Sequence, residues 1–215
     1  MTGKFIVIEG ADGCGKSTQA KLLADALEKE GLNTLFCREP GGTPIGEKIR
    51  SVLSDPQNKS MKVQAELFLY MASRSQLVEE VIKPALAEGR IVICDRFILS
   101  SVVYQGIVGG FGEEEVFNIG KYAVGGLKPD ITIVIDIPNR EAFKRVGVAA
   151  KDQGFLFAEA PDREERKGKK FQEEVYNAYR RLAKEEKIDN IVVINGKGSP
   201  ELVHEKVLEA VHRVI

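Results

Sequence analysis

One short run carries the densest chemistry of the chain: Gly10-Ala11-Asp12-Gly13-Cys14-Gly15-Lys16-Ser17, with Thr18 beside it. It fits G-x-x-x-x-G-K-[ST] and lies between an apolar stretch at 5–8 and a helical pattern with Ala20, Leu23 and Leu27 on one face. Glycines let backbone N–H groups turn inward around an anion, and a helix starting at that point aims the positive end of its dipole at the same place. In this setting Lys16 is expected to reach the β- and γ-phosphates of a nucleoside triphosphate, and the Ser17 hydroxyl to hold Mg²⁺. Residues 10–18 are therefore the candidate triphosphate site.

The other chemical groups follow apolar runs. Arg38-Glu39-Pro40-Gly41-Gly42-Thr43 comes after the second run, and Asp95-Arg96-Phe97 after the third. Asp95 ends a hydrophobic stretch, which makes it the first candidate for the carboxylate on the Mg²⁺ side; Asp136, which ends 131–135, competes for that role. Arg38, Arg50, Arg74 and Arg96 each follow an apolar segment, where a guanidinium can meet phosphate with two parallel hydrogen bonds. No Ser-His-Asp set accompanies them. His204 and His212 both fall in the last helical stretch and read as surface or packing residues. Cys14, Cys37 and Cys94 lack metal-ligand spacing and read as free thiols of a reducing compartment.

These groups need a scaffold, and the pattern along the chain supplies one. Short, nearly continuous apolar runs at 5–8, 34–37, 91–94, 131–135 and 191–194 predict parallel strands covered on both faces. Helical stretches are expected near 16–30, 45–54, 62–88, 113–125, 139–150, 164–187 and 200–214. Gly31 and Gly89 close two of them, and Ser199-Pro200 opens the last as an N-cap with proline at the first helical position. The fold class is α/β: a doubly wound, five-stranded parallel sheet flanked by helices, with ligands at the carboxyl ends of the strands. The 215 residues suit a single domain. With 43% hydrophobic and 29% charged residues the chain is neither disordered nor membranous, and its net charge of -1 offers no general attraction to nucleic acid or lipid. Met1-Thr2-Gly3-Lys4 leads into the first strand, so no signal peptide is expected and the cytoplasm is the expected compartment.

Taken together, the segments resemble the thymidylate kinase family. The likeness is carried by IEGADGCGKST (8–18), REPGGT (38–43), GEKIR (46–50), FLYMASRSQ (68–76), VIKPAL (81–86), DRFILSSVVYQG (95–106) and GLKPDITIVID (126–136), in family order. The resemblance implies a phosphate-loop kinase that transfers the γ-phosphate of ATP to thymidine monophosphate, acts with Mg²⁺ and forms a homodimer. Carried over by position, Asp12 is the loop carboxylate near the acceptor's sugar and phosphate, and Arg38 and Arg96 hold that phosphate. Tyr70 takes the place of an aromatic that stacks on thymine, usually Phe in the family. Arg74 and Gln105 read the base edge with Ser101 near it, and Tyr104 crowds the 2′ position of the sugar. Glu39 and Arg50 fall inside matched segments and complete the substrate-binding set. Leu99 departs from the small or acidic residue common at its position.

Beyond Asp136 the likeness thins to Asp162-Arg163 in a lid expected over roughly 145–170. Such kinases take a catalytic arginine from the phosphate loop or from the lid. Gly13 follows Asp12 here, so the lid is expected to supply it, with Arg163 the best match and Arg145 and Arg166 as competitors. The catalytic set is then Lys16, Asp12, Arg96 and Arg163. The apolar stretch 146–157 either extends a helix or closes over the nucleotide.

The chemistry agrees with that assignment. A phosphate oxygen is already anionic, so the reaction needs positioning and charge neutralisation rather than a strong base. A kinase of another nucleoside monophosphate or of a nucleoside is the nearest rival, with Asp12 or Glu39 as a base in the second case. A guanine-reading switch is disfavoured because the late strand is followed by Asn195-Gly196-Lys197-Gly198 rather than Asn-Lys-x-Asp. A nucleic-acid motor lacks its basic stripe, since Glu164 and Glu165 interrupt the cluster 163–170.

Overall fold

The computed structural model describes residues 3–138, 141, 142, 145, 168–185 and 190–215. Among them five strands form one parallel sheet in the order β2-β3-β1-β4-β5: β1 (Lys4–Glu9), β2 (Thr34–Arg38), β3 (Ile91–Asp95), β4 (Ile131–Asp136) and β5 (Ile191–Asn195). All five predicted strands are present. Chain connections leave β1 toward β2 and β3 toward β4, on opposite sides, so a crevice opens between the carboxyl ends of β1 and β3.

Period-two alternation assigns the two faces. Ile6, Ile8, Ile93, Ile133 and Ile135 pack against α1 (Lys16–Lys29) and the last helix through Leu23, Leu27 and Val207. Phe5, Val7, Val92 and Cys94 point the other way, against Leu77, Val78 and Ile82. Leu23 and Leu27 are fully buried, and truncation of either to alanine is expected to cost about 2–5 kcal/mol. At the edge strand β5 the expected cover on both faces is only partial: Val192 and Val193, on opposite faces, are 36% and 47% exposed, while Ile194 is buried beside Val203 and Val207 and Ile191 packs near Val175 and Tyr179.

The helix predicted over 62–88 is one continuous rod of three pieces: α3 (Val63–Leu77), a π-helical turn (Val78–Ile82) and α4 (Lys83–Ala87). Pro84 lacks the N–H that a regular ladder would direct at the carbonyl four residues back, and the wide turn precedes it. A second helical segment was not foreseen: α5 (Ile98–Ser101) running into a π-helical stretch, Val102–Val108. Paired β-branched residues and Gly106 disguise it as a loop, yet Leu99, Val102 and Val103 are buried, and packing overrides propensity. The other helices delimited among the described residues are α2 (Pro44–Ser54), α6 (Glu113–Ala123), α7 (Gly168–Leu182) and α8 (Pro200–His212). The Ser199 hydroxyl accepts from the Leu202 N–H, as its N-cap reading predicts, and Thr43 does the same for Gly46 at α2. Of the predicted helix over 139–150 only residues 141, 142 and 145 are described, and all three are helical; its other residues, the segment 146–157 and most of the lid lie outside the described residues.

Candidate active site

A cavity of about 730 Å³ opens over the carboxyl ends of β1, β2 and β3. The phosphate loop forms its floor. Gly10, Gly13 and Gly15 have φ of 139°, 75° and 99°, and at Gly10 a Cβ would stand 2.7 Å from the Ile135 carbonyl, so only glycine fits there. Asp12 through Thr18 line the cavity. Gly10 and Ala11 are set behind it: the Gly10 carbonyl accepts from Arg96 at 3.5 Å, and the Ala11 carbonyl accepts from Lys16 Nζ at 2.9 Å. Lys16 is 6% exposed and lies 3.9 Å from Asp12, so its ammonium is folded back over the loop's own oxygens. Cys14 is buried, and so are Cys37 and Cys94, register partners on β2 and β3; all three are free thiols.

Ser17 Oγ donates to Asp95 Oδ2 at 2.5 Å, while Asp95 Oδ1 is buried and has no hydrogen-bond partner. Asp136 is placed elsewhere. Its carboxylate lies 3.5 Å from Arg180 and lines a separate small cavity with Tyr176 and Tyr179. The geometry therefore brings Asp95, not Asp136, to the loop.

At the centre, Arg96 sits in the left-handed region at φ 72°, a strained place for a residue other than glycine, and its guanidinium pairs with Asp12 while lying 5.3 Å over the Tyr104 ring. The Tyr104 hydroxyl donates to the other Asp12 oxygen at 3.0 Å. Burial works against the Asp12 charge, yet Arg96, Lys16 and Tyr104 together hold its carboxyl below the usual range. Burial pushes the Tyr104 phenol well above its ordinary value, which keeps it a neutral donor.

Glu9, which closes β1, was missed in the sequence. It is fully buried, and its carboxylate accepts from the Phe97 and Ser100 N–H groups at 2.8 and 3.1 Å, from the Ser100 hydroxyl at 2.6 Å and from Tyr179 at 2.9 Å. Ser100 in turn accepts from Arg96 at 3.1 Å. Glu9 thus fixes the backbone that presents Arg96, and Tyr179 ties α7 to the same point. The one available signal was an acid at the end of an otherwise apolar run.

The far end of the cavity gathers Arg38, Glu39, Arg50, Tyr70, Arg74, Ser101, Tyr104 and Gln105. Arg38 and Arg50 both donate to the Pro40 carbonyl, at 3.0 and 3.2 Å, next to a cis Glu39–Pro40 peptide. Arg38 also meets Glu47, which the Gly42 N–H and Arg38 hold below its ordinary pKa. Arg74 is 1% exposed: Nε donates to Glu39 at 2.7 Å, Nη2 to the Phe97 carbonyl at 2.9 Å and to Ser101 at 3.1 Å. Removing Glu39 from such a buried pair would cost about 3–5 kcal/mol. Burial outweighs Arg74 and pushes Glu39 up to about 7. Tyr70 stands on α3 one turn before Arg74. The opposite end is closed by Gln19, Gly198, Pro200, Val203 and Arg145, whose guanidinium reaches the Cys14 and Gly196 carbonyls at 3.5 and 2.9 Å. Arg163 and Arg166 lie outside the described residues, and neither histidine lines the cavity.

A glycine loop feeding a helix at the switch point of a parallel sheet, with cationic groups along one cleft, defines a phosphate-loop α/β protein of the nucleotide kinase class. Comparison with known proteins carries this further: the model of the thymidylate kinase family matches residues 8–207. The chain is 46% identical over 215 residues to the thymidylate kinase of Caldanaerobacter subterraneus subsp. tengcongensis, covering 100% of this chain and 98% of that one. It is 44% identical over its full length to that of Thermoanaerobacter sp. strain X514, covering 100% of both. To the enzyme of Fervidobacterium nodosum it is 43% identical over 205 residues, covering 95% of this chain and 96% of that one. The chain belongs to the thymidylate kinase family.

Proposed function

We propose that the cavity holds two nucleotides end to end, and that the chain works as a single kinase domain with a lid over roughly 145–170. The protein is an ATP:dTMP phosphotransferase: it converts thymidine 5′-monophosphate to the diphosphate, a step of dTTP synthesis, with ATP as donor. The observation that carries the division of the site is its asymmetry. The phosphate loop and Arg145 define one end, the buried Arg74–Glu39 pair and Gln105 the other, and the Asp12–Arg96 pair stands between. On this reading Gly10 through Thr18 hold the triphosphate, with Lys16 on the transferring phosphate. Arg38, Arg50 and Arg96 take the acceptor phosphate, Tyr70 stacks on the base, Arg74, Gln105 and Ser101 face its edge, Glu39 orients Arg74, and Tyr104 closes on the sugar. Arg163 comes from the lid.

Mg²⁺ fits the same reading. Ser17 and Asp95 would hold it, since a hydroxyl and an orphaned carboxylate oxygen converge beside the start of α1, and the ion takes one or two protein oxygens with phosphates and water. Bound there it would neutralise charge on the phosphates. Lys16 and Arg96 do the rest by position: each is already held by neighbouring oxygens and needs only to exchange them for phosphate. A homodimer and a cytoplasmic location complete the proposal. The exposed Ile45 and Val52 of α2 and Phe68 of α3 support the first. Among the described residues no helix is long and apolar enough to cross a membrane. Incubation with ATP, Mg²⁺ and thymidine monophosphate, with products separated by anion exchange, tests the reaction: equal amounts of ADP and thymidine diphosphate are expected, and ADP alone would overturn it.

A further inference from the structure

The base-facing end of the cavity is backed by a carboxylate that no motif singled out. Glu66 lies in the first turn of α3, is 3% exposed, and accepts from Gln105 Nε2 at 2.6 Å; Gln105 itself is 1% exposed. Gln105 lines the cavity and Glu66 does not, so Glu66 stands behind it. From this arrangement we infer that Glu66 is a specificity-determining positioning residue: it sets the orientation of the Gln105 amide and thereby the hydrogen-bond pattern shown to the acceptor base.

The inference rests on the acceptor site described above. A glutamine amide can be turned either way, presenting an acceptor or a donor, and its surroundings decide which. A carboxylate accepts only, so it captures the NH₂ end and turns Oε1 of Gln105 away from itself. Next to it, Arg74 spends Nε on Glu39 and Nη2 on Phe97 and Ser101, while Nη1 meets only the Met71 sulfur among the described residues. Two Nη1 hydrogens against one weak acceptor leave a donor for a ligand. The pocket edge then offers one donor and one acceptor. Thymine and uracil present the complement, a carbonyl beside a ring N–H. Cytosine presents the reverse, an amine beside a bare ring nitrogen, so it would leave buried polar groups unpaired, and that mismatch discriminates far more strongly than a missing methyl group. A buried acid is costly to a fold that does not use it, and fixing this amide is a use.

The test is Glu66→Gln in the full-length chain. Its amide can donate to Gln105 Oε1, which frees the Gln105 NH₂ to face the base. The ratio of kcat/KM for thymidine monophosphate over deoxycytidine monophosphate is expected to fall at least about tenfold. The change should come mainly through a higher KM for thymidine monophosphate, with kcat nearly kept. Discrimination between thymidine and deoxyuridine monophosphates, which differ by a methyl group, should stay as in the wild type. An unchanged thymidine-to-deoxycytidine ratio in a folded variant would overturn the inference. So would an equal loss for all three substrates, which marks a purely structural contact between α3 and the π-helical stretch. Should Glu66→Gln not fold, Glu66→Leu with Gln105 retained replaces it; there too the ratio must fall, and an unchanged ratio overturns the inference. A wild-type chain with no preference for thymidine monophosphate would instead defeat the assignment of the site itself, a separate outcome.

Discussion

At the residue scale the site is a set of charges already answered by partners of this chain: Arg96 by Asp12, Arg74 by Glu39, and Lys16 by the Ala11 carbonyl. Such pairing holds each cation in place before any phosphate arrives, so binding costs little reorganisation. Lys16→Ala removes the cation proposed to act on the transferring phosphate; transfer should be lost while melting temperature and circular dichroism stay close to wild type, and substantial activity in that folded variant would move the donor site elsewhere. Glu39 permits a pH experiment. Its folded pKa of about 7 lies above the ordinary 4.5, so between these values the folded state holds more protons than the unfolded one. Stability contributed by the protonated acid is present below about 4.5 and is lost as pH rises through about 7. Unfolding free energies measured against denaturant should therefore decline across that window in the wild type relative to Glu39→Gln, and parallel profiles would contradict the burial-driven shift. The phosphate loop, Asp95 and the arginines were legible because motif and strand end fix them. Glu9 and Glu66 were not: each serves through a contact with a residue 39 or more positions away, although Glu66, Tyr70 and Arg74 do share helical spacing on one face of α3.

At the scale of elements, all five strands follow from apolar runs, because strands buried in a parallel sheet need no other signal. The helical segment from Ile98 through Val108 escaped for the opposite reason. Its π-helical stretch has neither a 3.6 period nor good helix formers, and it exists because Val102, Val103 and Tyr104 are buried against α3, α6 and α7. That stretch carries Tyr104 and Gln105, so the least regular helix holds two residues that line the cavity. The lid arginine is an element-scale question as well. Arg145 is committed to the Cys14 and Gly196 carbonyls at the donor end, which suits it to ATP binding rather than to the transferring phosphate. Arg163→Ala should accordingly lower kcat by about 10³ with little change in the KM for thymidine monophosphate, whereas Arg145→Ala should raise the KM for ATP. Steady-state kinetics of both variants decide it; the reverse pattern would assign the catalytic role to Arg145.

At the scale of the whole molecule, the sheet order opens one crevice, in which both substrates are proposed to bind, and the exposed apolar residues Ile45, Val52 and Phe68 belong to α2 and α3. If those residues pair two copies, light scattering at micromolar concentration should give twice the 23.7 kDa chain mass, and Phe68→Glu should return it to one chain. A wild-type monomer under those conditions would remove the dimer. The central claim, phosphoryl transfer to thymidine monophosphate, is tested most directly by kcat/KM with ATP and Mg²⁺ across nucleoside monophosphates and thymidine. The account predicts that thymidine monophosphate exceeds deoxyuridine monophosphate by roughly ten- to two-hundred-fold, the discrimination one buried methyl group supports, and that thymidine itself is not turned over. Equal turnover of the two monophosphates, or faster turnover of thymidine, would contradict it.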